Sequence, residues 1–97
     1  MKFNLENNAL TIYLEGQLNS YNAESVEKEI NDIIEGKNFT SLNLDFDNLK
    51  YISSAGLRII MSLKQRYNDI TLKNVHDDIN DIFVMVGFES IIKIERK

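Results

Sequence analysis

The sequence predicts an α/β fold: one domain over residues 1–97, with a mixed sheet of four to five strands and about three main helices packed mainly on one face. The predicted order is β-β-α-β-α-β-α-β. Two observations carry this reading. Apolar residues switch repeatedly between a two-residue and a helical period along the chain. The strand–helix–strand repetition that results implies parallel pairs joined by right-handed crossovers, while an opening hairpin makes the sheet mixed. The chain holds no proline, linker, low-complexity tract or internal repeat, and its length fits one domain.

The elements follow in order. Lys2–Glu6 alternates, with Phe3 and Leu5 on one face. Asn7-Asn8 is a two-residue hairpin turn, because asparagine tolerates positive φ better than other non-glycine residues. Ala9–Glu15 alternates again, placing Leu10, Ile12 and Leu14 together. Over Asn22–Glu35 the period becomes helical, with Ala23, Val26, Ile30, Ile33 and Ile34 inward and Glu24, Glu27, Lys28 and Asp32 outward. Asn22 or Ser20 supplies the N-cap oxygen, and Gly36 sits where a C′ glycine belongs. Ser41–Phe46 reads as a strand, followed by a polar turn at Asp47-Asn48. Leu49–Ile52 then leads into Ser53-Ser54-Ala55-Gly56. From Ala55 to Tyr67, Leu57, Ile60, Met61 and Leu63 fit a second helix. Ile70–Leu72 is a short strand. His76–Val86 is a third helix, with Ile79, Ile82, Phe83 and Val86 inward and Gly87 ending it. Ile91–Ile94 is the last strand.

Composition removes several function classes. Without cysteine there is no disulfide scaffold, thiolate metal site or cysteine nucleophile, and the one histidine, His76, makes a histidine-rich metal site or a catalytic triad a poor expectation. The net charge of −4 argues against nucleic acid as the main partner. Met1–Leu14 has no continuous apolar stretch of the secretory kind, and no segment approaches a membrane span, so a soluble, cytoplasmic protein is expected. No sustained apolar patch demands a dimer. Charge is unevenly spread. Glu15, Glu24, Glu27, Glu29, Asp32 and Glu35 face a single Lys28 in the first half, whereas Lys50, Arg58, Lys64 and Arg66 occupy a stretch from Lys50 to Tyr67 without any acid.

The stretch Leu49–Leu63 carries the most chemistry. A strand ends in a short loop, two serines follow, and a helix begins. The unpaired N–H groups and dipole of that helix favour an anion at Ser53 or Ser54. A phosphoryl group there brings about −1.5 to −2 charges and three acceptor oxygens without breaking the fold. Capping alone would also explain two serines before a helix. Gly56 in the first helical turn costs about 1 kcal/mol relative to alanine, which points to close approach by the loop or by a partner. Arg58, Ser62, Gln65 and Arg66 share the outer face of the second helix, and Arg58, four residues after Ser54, is placed to pair with a phosphate. Asp45 and Asp47 lack a base or a further ligand set, so neither acid–base catalysis nor metal binding is expected of them. His76 belongs to the cap region of the third helix. Tyr51 and Ile52 anchor the serine loop to the core, and exposure of either would indicate partner contact.

The segment Leu44-Asp45-Phe46-Asp47-Asn48-Leu49-Lys50-Tyr51-Ile52-Ser53-Ser54-Ala55-Gly56-Leu57 resembles the core signature of the STAS domain family, of the anti-sigma factor antagonist type. Glu15-Gly16-Gln17-Leu18-Asn19 resembles that family's segment after the second strand. Ile70–Val75 resembles the strand and turn before the last long helix, and Ile82–Phe88 the helix end. The four pieces stand in the family's order and spacing. The resemblance implies a binding module that is no enzyme and needs no cofactor. It acts as a kinase substrate at Ser54, with Ser53 the lesser alternative. The implied partner is an anti-sigma factor with a GHKL-type serine kinase fold, which releases its sigma factor on binding the antagonist, with a PP2C-like phosphatase reversing the mark. The partner surface would comprise Asn19, Ser53, Ser54, Ala55, Gly56, Arg58 and Ser62. This chain departs from the family pattern where acids fall on Asn19 and Ser53, and where a hydroxyl residue falls on Ala55. Two other readings stand beside it: a STAS interaction module without phosphorylation, in another signalling or transport complex, and a nucleotide-binding domain, for which the glycine-rich loop with lysine is missing.

Overall fold

The computed structural model describes residues 1–97. The chain forms β1 (Lys2–Glu6), β2 (Ala9–Leu18), α1 (Ala23–Ile34), β3 (Ser41–Ile52), α2 (Ser54–Arg66), β4 (Ile70–Val75), α3 (Asp77–Met85), a short 3-10 turn at Phe88–Ser90, and β5 (Lys93–Arg96). The five strands make one sheet in the order β1-β2-β3-β4-β5. β1 is antiparallel to β2, and β2 through β5 run parallel. This is the element order and mixed sheet expected from the periodicity.

Each parallel crossover steps one strand in the same direction. Right-handed connections therefore place all three helices on one face of the sheet. Leu10, Leu42 and Ile70 lie side by side on that face, as do Ile12, Leu44 and Leu72, and all six are buried. The opposite face carries Asn4, Thr11, Asn43 and Thr71 in one row and Tyr13, Asp45 and Lys73 in the next. This face is polar, although Asn43, Asp45 and Thr71 at its centre are themselves buried.

The hairpin turn forms as expected, with Asn7 at φ 52° and Asn8 at φ 65°. Both central residues need positive φ in the tight turn whose twist matches the strands. Gly36 stands just past α1 at φ 75°, the left-handed conformation that ends a helix with least strain in glycine.

β2 runs on to Leu18 instead of stopping at Glu15, and four further expectations are corrected. No turn interrupts β3 at Asp47-Asn48. Tyr13 pairs Asp45 and Glu15 pairs Asn48, then Gly16 pairs Leu49 and Gln17 pairs Tyr51, so β3 carries two extra residues against β2. These bulges reset the inward positions to Phe46, Leu49 and Ile52, all buried. A three-residue spacing does not read as a strand in sequence. Second, β4 continues to Val75 instead of stopping at Leu72, with Val75 paired to Arg96. Third, α3 ends at Met85, so Val86 caps it and is 48% exposed. Fourth, the last strand starts at Lys93, and Ile91 is exposed because the 3-10 turn still holds the chain there.

An aromatic cluster pins α3 to the sheet. Phe83 meets Phe46 edge-on at 5.6 Å between centroids and stacks on Phe88 at 5.5 Å. No helix is long and apolar enough to cross a membrane.

Candidate functional site

Ligand and partner sites of parallel sheets collect outside the carboxyl ends of the strands. Here β2 and β3 end side by side, with Leu18 paired to Ile52 and the Ser53 N–H donating to the Leu18 carbonyl at 2.8 Å. Asn19 therefore follows one strand and Ser53 the other, and the two loops are neighbours.

The first loop is held by its own asparagines. The Asn19 Oδ1 accepts the N–H groups of Tyr21 (2.9 Å) and Asn22 (3.1 Å). In return, the Asn22 Oδ1 accepts the Asn19 N–H at 2.9 Å, and its Nδ2 donates to the Gln17 carbonyl at 2.7 Å. Asn22 is the N-cap residue of α1, yet its side chain makes no cap bond, because it is spent on the loop. Ser20 is exposed and does not cap either. Asn19 thus keeps the amide-accepting role open to a side-chain oxygen, without the charge of an acid.

In the second loop Ser53 is the N-cap of α2, with extended φ −100° and ψ 176°. Its hydroxyl is buried and bonds no protein atom, so the expected side-chain cap is absent. Ser54 is the first helical residue and is exposed. The first helical bond is donated by Leu57 to the Ser53 carbonyl at 3.0 Å, so the N–H groups of Ser54, Ala55 and Gly56 point out of the helix start. Gly56 is buried. A Cβ built on it would lie 2.7 Å from the Ile52 Cγ1 and 2.8 Å from the Leu18 Cγ. The close approach expected at Gly56 is therefore made by the ends of both strands, which set the start of α2 directly on them.

Ala55, Arg58 and Ser62 line one side of a shallow groove between α2 and α1, facing Ser20, Glu24 and Glu27. Arg58 is exposed and makes no ion pair within the chain. Arg66, expected on the same basic face beside Ser54, lies at the far end of α2. Twelve residues of helix separate them by about 18 Å, and Arg66 bonds the Asn31 Oδ1 at 2.8 Å. Lys64 is likewise turned to the Asn68 carbonyl. Of the helix cations, Arg58 alone stands by the serines.

Ile52 is buried, whereas Tyr51 is 49% exposed, the condition under which the sequence reading assigns a residue to partner contact. A residue that the sequence reading missed is Tyr21, 97% exposed at the tip of the asparagine-held loop. The signal was present: a tyrosine in a polar loop offers large contact area at low side-chain entropy cost and is enriched at binding hot spots.

The two carboxylates of β3, Asp45 and Asp47, are both engaged within the fold. Asp45 is buried and accepts the Asp47 N–H at 2.9 Å and the Asn74 Nδ2 at 2.8 Å, tying the bulge of β3 to the end of β4. Asp47 pairs with Lys97, and the His76 Nε2 contacts the Asp47 carbonyl at 2.6 Å. His76 holds the N-cap position of α3, but its ring reaches back to β3 instead of capping. The hydrogen bond from Lys97 holds the Asp47 carboxyl below the ordinary aspartate range, helped by the charges of Lys97, His76 and Lys50 and opposed by desolvation. A lowered folded value contributes stability above the unfolded value, and the contribution is lost as pH falls through the folded one, a window below about pH 4. Lys97→Ala is expected to raise the Asp47 midpoint toward the ordinary range. Carboxyl NMR titration reads it directly, and an unmoved midpoint refutes the assignment to Lys97.

The fold and this corner define a small α/β domain whose exposed chemistry is a serine at the mouth of a helix, flanked by a rigid tyrosine-bearing loop. The chain belongs to the STAS domain family, whose model matches residues 2–97. It is 34% identical over 84% of its length to BtrV of Bordetella bronchiseptica, a protein classed with the anti-sigma factor antagonists, and covers 72% of that protein. It is 28% identical over 89% of its length to the anti-sigma-B factor antagonist of Listeria monocytogenes, covering 78% of it. Among solved structures, the Bacillus anti-sigma factor antagonist SpoIIAA shares the fold. Its unphosphorylated form superposes with a TM-score of 0.73 at 19% identity, covering 96% of this chain and 87% of that one, and its phosphorylated form with 0.65.

Proposed function

We propose that this protein is an anti-sigma factor antagonist that binds an anti-sigma factor through the corner formed by Asn19, Tyr21, Tyr51, the Ser53–Gly56 turn, Arg58 and Ser62, and that phosphorylation of Ser54 switches the binding off. The observation that carries this reading is the exposed Ser54 hydroxyl at the start of α2, beside free helical N–H groups and a preformed loop. The partner inferred is a GHKL-type serine kinase that is itself the anti-sigma factor, with a PP2C-like phosphatase restoring the free serine. The names of the relatives support the anti-sigma factor as partner.

The physical event is a charge change inside an interface. Unmodified Ser54 brings an uncharged hydroxyl to a contact that also includes Tyr21 and Tyr51. A phosphoryl group adds about −1.5 to −2 charges. Set against a docked surface, a dianion is opposed by desolvation and by any acid nearby. The helix N–H groups stabilise it on the free protein, so the folded domain carries the mark without unfolding.

The test is incubation with the cognate kinase and ATP, read by intact mass and peptide mapping. One phosphate on Ser54 is expected. Ser54→Ala is expected to take none while binding the kinase as tightly as the parent, and phosphorylation is expected to weaken binding by about a hundredfold, of the order measured when a charge is left unpaired in an interface. Phosphate mapped elsewhere, or equal affinity of both forms, overturns the reading. The specific feature favouring a non-phosphorylated interaction module is the pair Ser53 and Asn19, where the family pattern carries acids. Tight kinase binding with no phosphate transferred would select that module.

A further inference from the structure

The outer edge of β1 is open, and its residues have an unusual relation to one another. All five, Lys2 to Glu6, are exposed. The hairpin turn closes on the pair Glu6–Ala9, so Glu6, Asn4 and Lys2 direct their backbone groups toward β2, while Phe3 and Leu5 direct theirs outward. Phe3 and Leu5 also lie on the helix face, opposite Ile12 and Leu10, yet remain 45% and 42% exposed, with the Lys37 ammonium 4.6 Å from the Phe3 ring centroid. Lys2 and Glu6 lie on the other face, and neither has an ion-pair partner within the chain.

We propose that this edge pairs antiparallel with the same edge of a second copy, in the register centred on Asn4. The occupant is argued from complementarity. In that register each Phe3 faces the other copy's Leu5, and both residues present free backbone groups, so each pair exchanges both of its bonds. On the helix face, the exposed Phe3 and Leu5 side chains cover one another. On the opposite face, Lys2 of one copy meets Glu6 of the other, twice by symmetry, as an isologous contact requires. Shifting the register by two residues leaves these charges without opposite partners and forms fewer bonds. A lone lysine on an edge strand repels a generic strand. Here it selects the one strand that offers glutamate at the matching place. The Ser53-Ser54 corner lies beyond the end of β1, past Leu18, so this pairing leaves it free and stands independently of the function proposed above.

Sedimentation of the whole protein, from micromolar to millimolar concentration at low salt, tests the proposal. A reversible monomer–dimer equilibrium is expected. Lys2→Glu and Glu6→Lys alter exposed side chains and should leave the circular dichroism unchanged. Each reverses both symmetric ion pairs and is expected to weaken the dimer about tenfold or more, from cross-strand pair energies. An equimolar mixture of the two variants restores the opposite-charge pairing and should associate as a heterodimer at least as tightly as the parent. A protein monomeric throughout, a dimer indifferent to both reversals, or a mixture no tighter than either variant alone would overturn it.

Discussion

Phe83→Ala is expected to cost about 3–5 kcal/mol, the largest effect of any single truncation in this domain. Phe83 is fully buried and joins three elements: its own α3, β3 through Phe46, and the 3-10 turn through Phe88. Removing the ring forfeits the transfer free energy and both aromatic contacts, and it leaves a void that neighbours on a rigid sheet cannot fill. A domain of this size has about 5–15 kcal/mol in total, so the variant sits close to unfolding. Urea denaturation should show a lower midpoint with little change in slope. A loss below about 1 kcal/mol would mean that α3 is not pinned as described. The serine corner has no residue on α3 or the 3-10 turn, so the folded fraction should bind a partner normally.

Gly56→Ala is expected to be destabilising by about 1–3 kcal/mol, although alanine is the better helix former by about 1 kcal/mol. The added methyl would sit 2.7 Å from Ile52 and 2.8 Å from Leu18, which are buried side chains at the ends of β3 and β2. Neither is a flexible surface chain that can swing aside, so the start of α2 must lift. The same lift moves Ser54 relative to Tyr51 and the Asn19 loop. Under the function proposed here, the rate of phosphate transfer then falls more than the stability loss alone explains. Chemical denaturation and kinase kinetics on one preparation separate the two. A variant as stable as the parent would show that the strand ends yield to the methyl group.

Much of the fold was legible in the chain because it rests on local periods. The alternation through Leu10, Ile12 and Leu14, and the helical spacing of Ile30, Ile33 and Ile34, each encode one buried face, and those faces are the ones buried. The Asn7-Asn8 turn needed only the tolerance of asparagine for positive φ. The misreadings share a different cause. Asp47-Asn48 looks like a turn, and it became strand because β2 accepts two extra residues of β3 and because Asp45 takes the Asp47 amide. Val86 fits the helical stripe but falls one residue past the helix, where the chain turns away from the sheet.

The candidate site divides in the same way. That a serine stands where a strand passes into a helix follows from residue types and order alone, since strand alternation, Ser-Ser and the helical spacing after them are all local. Tertiary structure decided which hydroxyl is offered: Ser53 is turned inward and Ser54 outward. It also decided that Arg58 remains near the serines while Arg66 is engaged by Asn31, and that Tyr21 projects fully from a loop locked by two asparagines. Linear sequence encodes periods and propensities over a few residues. Exposure and neighbourhood arise from contacts between segments far apart in the chain, here the ends of β2 and β3 closing on Gly56, and these exist only once the sheet has formed.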